Sequence, residues 1–244
     1  MTNEQIEAAL ARAEEALAHG RSLKGAGFWP AVEAVKRDPA KIEAYADGIA
    51  AIDRRAFEQG VKLRISAPVG VGGLTLLTAV GILAVVVARR AVGSLPSAIL
   101  TSSGVDAYHW PGFVPIVFLV GLGSLIVGTH SLTHWIVGRL VGIRFTHVFL
   151  GGPPPPRPGL KTDYASYLRA TPRERAAMHA SGAIVTKIVP FALLPLSLSF
   201  STDWPWLTWI LIVIGVVQIA TDVLLSTKVS DWKKVLRELR TARG

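Results

Sequence analysis

The chain has 244 residues, half of them hydrophobic, a mean hydropathy of +0.42 and apolar residues gathered in blocks, which excludes an ordinary soluble domain. It has no cysteine, so disulfides, thiol catalysis and cysteine metal ligation are excluded, leaving His, Asp and Glu as ligands. The net charge of +9 is uneven: residues 1–62 carry 9 Lys/Arg against 10 Asp/Glu, and the remainder carries 17 against 7. Those basic residues flank apolar spans and do not interleave with aromatics, which argues against nucleic acid and for a bilayer with an anionic inner leaflet as partner.

Residues 1–62 read as an N-terminal helical cytosolic segment. Ile6, Leu10, Ala13 and Leu17 keep helical spacing, with Thr2 or Asn3 as N-cap and Gly20 as stop. Phe28-Trp29-Pro30 with Val32 and Val35 predicts a short second helix. Asp38-Pro39 opens a third, since aspartate caps and proline suits the first helical position, and its apolar face is Ile42, Tyr45, Ile49, Ile52 and Ala56. The first 20 residues are charged and Ala-rich, so no cleaved signal peptide is expected and the first span directs insertion.

Four spans are expected in a membrane domain covering 63–230, at about 67–87, 111–143, 180–200 and 204–225, each able to cross roughly 30 Å of hydrocarbon. The second is too long for one straight span, and Pro190 and Pro195 predict kinks in the third. His109-Trp110 and Trp204, Trp206 and Trp209 look like interfacial aromatics. Basic residues concentrate in 144–178 and in the tail 231–244, including Lys228 just before it and Arg243 within it. Both termini are therefore expected on the cytoplasmic side of a multi-pass protein of the cell membrane. The expected fold class is an all-α integral membrane protein.

The chemistry centres on His130-Ser131-Leu132-Thr133-His134, which on a helix puts two imidazoles one turn apart on one face. His130 lies about 19 residues into the second span and Asp222 about 18 residues into the fourth, both entered from outside, so each sits roughly 27–29 Å from the outer face. Two histidines and a carboxylate at one level form a three-ligand set of the kind a catalytic zinc uses. The same histidines also suit a polar interhelical seam with Thr129, Ser131 and Thr133. Lys187 either snorkels to the interface or neutralises Asp222. His147 and His179 read as surface residues near the cytoplasmic interface.

The stretch from His130 to Ile143, with Gly138, Arg139 and Gly142 following the histidines, resembles H-E-x-x-H-A-x-x-A-R-x-x-G-V/I of the site-2 proteases, the intramembrane zinc metalloproteases. His179 to Lys187 lies where that family has G-P-x-x-N, with Ala183 and Thr186 at the proline and asparagine positions. Asp222 takes the place of its last-helix aspartate. The resemblance covers about residues 67–230 and implies a site-2-protease-like core with zinc on His130, His134 and Asp222, and with Lys187 and Thr186 as site modulators. It also implies that hydrolysis is impaired, because Ser131 stands where the family has its general base and a serine cannot take that proton at neutral pH. No glutamate occurs from residue 59 to residue 173.

Gly151-Gly152 and the four prolines from Pro153 to Pro156 make the loop 151–159 a stiff extended rod. A proline run lacks the amide donors needed to pair with a substrate strand, so a docking or spacer role is expected there. Thr171-Pro172 predicts a capped helix leading into the third span, and the segment from Ser230 to Arg237 a basic amphipathic helix on the inner leaflet. Three readings follow: a pseudoprotease that keeps a metal site and has a binding or regulatory role, a structural subunit of a larger membrane complex, and an active divergent metalloprotease. A membrane-protein substrate or a partner subunit would engage 1–62 and the proline-rich loop.

Overall fold

The computed structural model describes residues 1–94, 113–151, 157–200, 202–224 and 230–242. His109-Trp110, the predicted start of the second span at Pro111, the four prolines, Lys228 and Arg243 lie outside the described residues. The chain forms two compact units, each discontinuous in sequence. One takes Met1–Val71, Trp135–Met178 and Lys234–Gly244, the other Gly72–His134 and His179–Lys233. The N-terminal helices and the C-terminal tail, read from the sequence as separate regions, thus share a unit with residues 135–178.

In the first unit, helices α1 (Asn3–Ala18), α2 (Phe28–Val35) and α3 (Pro39–Gly60) follow from local signals. Thr2 closes a capping box with Gln5, and Asp38 accepts from the Ala40 and Lys41 amides ahead of Pro39. Gly20 at φ +68° takes the left-handed turn that ends α1. The predicted stripes meet: Ile6, Ala13, Leu17, Phe28, Val32, Ile49 and Ile52 are buried in one cluster, with Leu10, Ile42, Tyr45 and Ala56 packed against it.

The all-α expectation is corrected here by a three-stranded antiparallel sheet, order β1-β2-β3, made of β1 (Leu63–Ser66), β2 (Phe145–Gly151) and β3 (Arg157–Thr162). Phe145, Val148 and Phe149 are strand formers, and pairing β2 on both sides satisfies its backbone. Pro158 is tolerated because β3 is an edge strand. In sequence the proline run lies between β2 and β3. A short helix α6 (Tyr164–Arg169) follows, and Ile143, Tyr167, Ala170 and Met178 bury a second small core.

The C-terminal helix α10 (Asp231–Thr241) is amphipathic as expected, but protein covers part of the face assigned to the leaflet: Val235 and Glu238 are buried. Glu238 is fully buried within a charged cluster, with Lys36 Nζ 2.8 Å from its Oε1 and Arg175 Nε 2.6 Å from its Oε2. Tyr167 donates its hydroxyl to Oε1 at 2.9 Å. Burial pushes the Glu238 carboxyl up, and the two cations more than reverse this, holding it at about 2.

The second unit draws on α4 (Ala67–Ser94), α5 (Phe113–Leu140), α7 (Pro172–Ala192), the single turn α8 (Leu194–Ser197) and α9 (Pro205–Leu224). Among the described residues, four stretches are long and apolar enough to cross a membrane: Ala67–Val92, Phe113–Leu140, Pro172–Phe200 and Pro205–Asp222. Exposed Leu76, Ile82, Leu83, Ile116, Val120, Trp209, Val213 and Val216 carry the apolar surface that lipid covers. This is a multi-pass membrane protein. Within the unit, Val85, Phe118, Leu122, Phe200, Leu207 and Leu211 form a packed core.

Helices α4 and α5 approach through glycines: a Cβ on Gly121 would lie 3.0 Å from the Gly81 carbonyl, and one on Gly128 would lie 2.3 Å from the Thr78 hydroxyl. Helix α5 ends at Leu140, three residues short of the predicted limit, because Gly142 adopts φ +82°. Helix α7 starts at Pro172, earlier than the predicted span, because Thr171 and Glu174 close a capping box and the helix then runs on without a break. Pro190 lies in its last turn and α8 restarts after Ala192, which matches the expected interruption.

Candidate metal centre

His130 and His134 lie on successive turns of α5, with rings 4.7 Å apart and nearly perpendicular. The carboxylate that meets them is Asp231, the first residue of α10. Its Oδ2 lies 3.2 Å from His134 Nε2 and 3.5 Å from His130 Nε2. One ligand atom from each of the three residues falls within 4.8 Å of the others. Donors at about 2.0–2.2 Å from a tetrahedral zinc stand roughly 3.3–3.6 Å apart, so these two separations are compatible with a shared metal. The donor types, two imidazoles and a carboxylate, fit it as well.

Asp222 is engaged elsewhere. It forms an ion pair with Lys187, whose Nζ also donates to the Ala183 carbonyl at 2.8 Å. Of the two sequence readings of Lys187, neutralisation of Asp222 describes this geometry. Thr186 donates its hydroxyl to the Gly182 and Ala183 carbonyls, a bond within its own helix. Ser131, at the general-base position, is buried.

His179, read as a surface residue, has a side chain only 13% exposed, and its Nδ1 lies 4.0 Å from Asp231 Oδ1. One turn further along α7, Gly182 gives His134 its room: a Cβ there would lie 2.3 Å from His134 Nε2. Gly182→Ala is therefore expected to displace the His134 ring and, for a metal held by the His130, His134 and Asp231 group, to weaken binding by about 10–100-fold, the range seen when the support of a ligand is disturbed, as read by metal titration. Unchanged affinity would show that His134 is not a ligand.

Little in the sequence pointed to Asp231. Aspartate before Trp-Lys-Lys at the start of an amphipathic helix reads as a cap or first-turn acid favoured by the helix dipole, and no spacing rule links it to residues about 100 positions earlier. Comparison with family models, curated proteins and solved structures finds no match.

Proposed function

We propose that this is a site-2-protease-like membrane protein that holds zinc on His130, His134 and Asp231 and does not hydrolyse peptide bonds, serving a binding or regulatory role in the cell membrane. The observation that carries this reading is the Asp231 carboxylate set against both Nε2 atoms at separations suited to one tetrahedral ion. Zinc supplies Lewis acidity when bound, and in a hydrolase it lowers the pKa of a coordinated water. Hydrolysis further needs a base on that water, and Ser131 offers none. The resemblance from His130 to Ile143 and Gly182 at the glycine of the G-P-x-x-N segment support the family assignment, and the Lys187 to Asp222 pair supports the exchange of one aspartate for another.

The test is a cleavage assay with a generic single-span substrate in detergent, alongside metal analysis of the same full-length preparation. The expected result is bound zinc and no cleavage above that of the His130→Ala/His134→Ala variant. Cleavage by the unaltered chain that His130→Ala abolishes would overturn the loss of hydrolysis.

A further inference from the structure

We propose that one face of the β1-β2-β3 sheet lies on the acyl chains of the bilayer, giving the protein a membrane contact beside its spanning helices. The register puts Leu63 and Ile65 of β1, Val148 and Leu150 of β2, and Pro158 and Leu160 of β3 on this face, and all six are apolar. The opposite face already has its cover. His147 and Phe149 set their rings 5.7 Å and 5.2 Å from that of Phe57 on α3, and Lys161 pairs with Asp53 of the same helix. A sheet packed on one side and wetted on the other alternates apolar with polar residues, whereas Val148-Phe149-Leu150 is apolar on both sides. Yet Leu63, Ile65 and Leu150 are 66%, 50% and 40% exposed.

The depth of this face follows from α4. Strand β1 runs into α4 without a linker, Ser66 being followed by Ala67. Arg89-Arg90 mark where α4 leaves the hydrocarbon, and roughly 30 Å of hydrocarbon takes about 20 residues, which counts back to Val69. Val69 is exposed, and its neighbour Gly70 is where α4 meets the sheet: a Cβ there would overlap Val148 Cγ2 and lie 3.4 Å from Ile65 Cδ1. The apolar face is thus held at the hydrocarbon boundary, on the side from which α4 enters. Leu63, Ile65 and Leu150 extend the apolar surface that begins at Val69. Lys62, exposed beside Leu63, supplies a cation for the headgroup layer.

The experiment uses the unaltered full-length protein in vesicles of phosphatidylcholine and phosphatidylglycerol that contain a phospholipid with a photoactivatable diazirine on its acyl chain. After irradiation, mass spectrometry is expected to find lipid adducts on residues 63–65 and 148–150 at a yield within severalfold of that on residues 76–83 of α4. Adducts on α4 with none on the sheet would overturn the proposal. Since the chain has no cysteine, a nitroxide on Leu63→Cys or Leu150→Cys gives a second readout in the same vesicles. Both labels are expected to collide with oxygen and to meet a water-soluble nickel chelate severalfold less often than a label on Glu14→Cys, an exposed position of α1. Nickel contact equal to that at Glu14→Cys would show a wetted face, and shielding from oxygen and nickel alike would show a cover of protein. Either result overturns the lipid contact. Zinc enters none of these readouts, so their failure and that of the metal reading are distinguishable.

Discussion

For the zinc centre proposed above, Asp231→Asn is expected to abolish binding of the ion, while Asp222→Asn leaves binding in place. The physical ground is that an amide is a far weaker metal donor than a carboxylate, and among the described residues Asp231 is the carboxylate within ligand distance of the two Nε2 atoms. Asp222 instead faces Lys187, and its neutralisation leaves an ammonium with one fewer partner, which affects folding stability more than the metal. The measurement is zinc content and zinc affinity of each full-length variant in detergent. The expected loss for Asp231→Asn exceeds about 100-fold in affinity, and that for Asp222→Asn stays within severalfold. The reverse pattern would return the third ligand to the helix where the sequence placed it.

The second large effect belongs to Glu238. Glu238→Ala would leave Lys36 and Arg175 as buried cations around an empty position, a change expected to destabilise the unit that contains them by about 3–5 kcal/mol. Lys36 keeps a weaker contact with Glu33 at 3.5 Å, which softens but does not replace the loss. Glu238→Gln retains shape and one acceptor oxygen, and should fall between the variant and the unaltered chain. Denaturant unfolding of the full-length protein, with proteolytic release of the C-terminal helix as a local readout, checks the order.

The same carboxylate sets a pH dependence whose sign is fixed. Its folded pKa of about 2 lies below its ordinary value of 4.5, so its contribution is fully present above the ordinary value and is lost as pH falls through about 2. Protection of α10 from proteolysis should therefore persist at neutral and mildly acidic pH and fall away only in strong acid. Loss of protection near pH 6 would point to another group.

The elements written into the sequence are those with local physical causes. Capping by Thr2 and Asp38, the stripes from Ile6 to Leu17 and from Ile42 to Ala56, and four long apolar runs each depend on residues within a turn or two; the caps and stripes appear where the pattern put them, and the apolar runs match it with shifted ends, the third beginning at Pro172. The sheet was not legible. Leu63 to Ser66 and Phe145 to Gly151 are too short to stand out, and their pairing joins segments about 80 residues apart. The tail was half legible, since a strong amphipathic pattern does not say whether lipid or protein will cover it. Glu238 on that helix finds Lys36, Tyr167 and Arg175 from three distant segments.

The candidate site divides along the same line. The sequence by itself determined that two histidines share one face of a spanning helix, because a spacing of four residues fixes their direction within that helix. It also determined that no glutamate stands between them. Only the tertiary structure decided which carboxylate reaches them, because that choice depends on how separate helices pack. Packing sets Asp222 against Lys187 and brings Asp231, with His179 behind it, to the histidine pair.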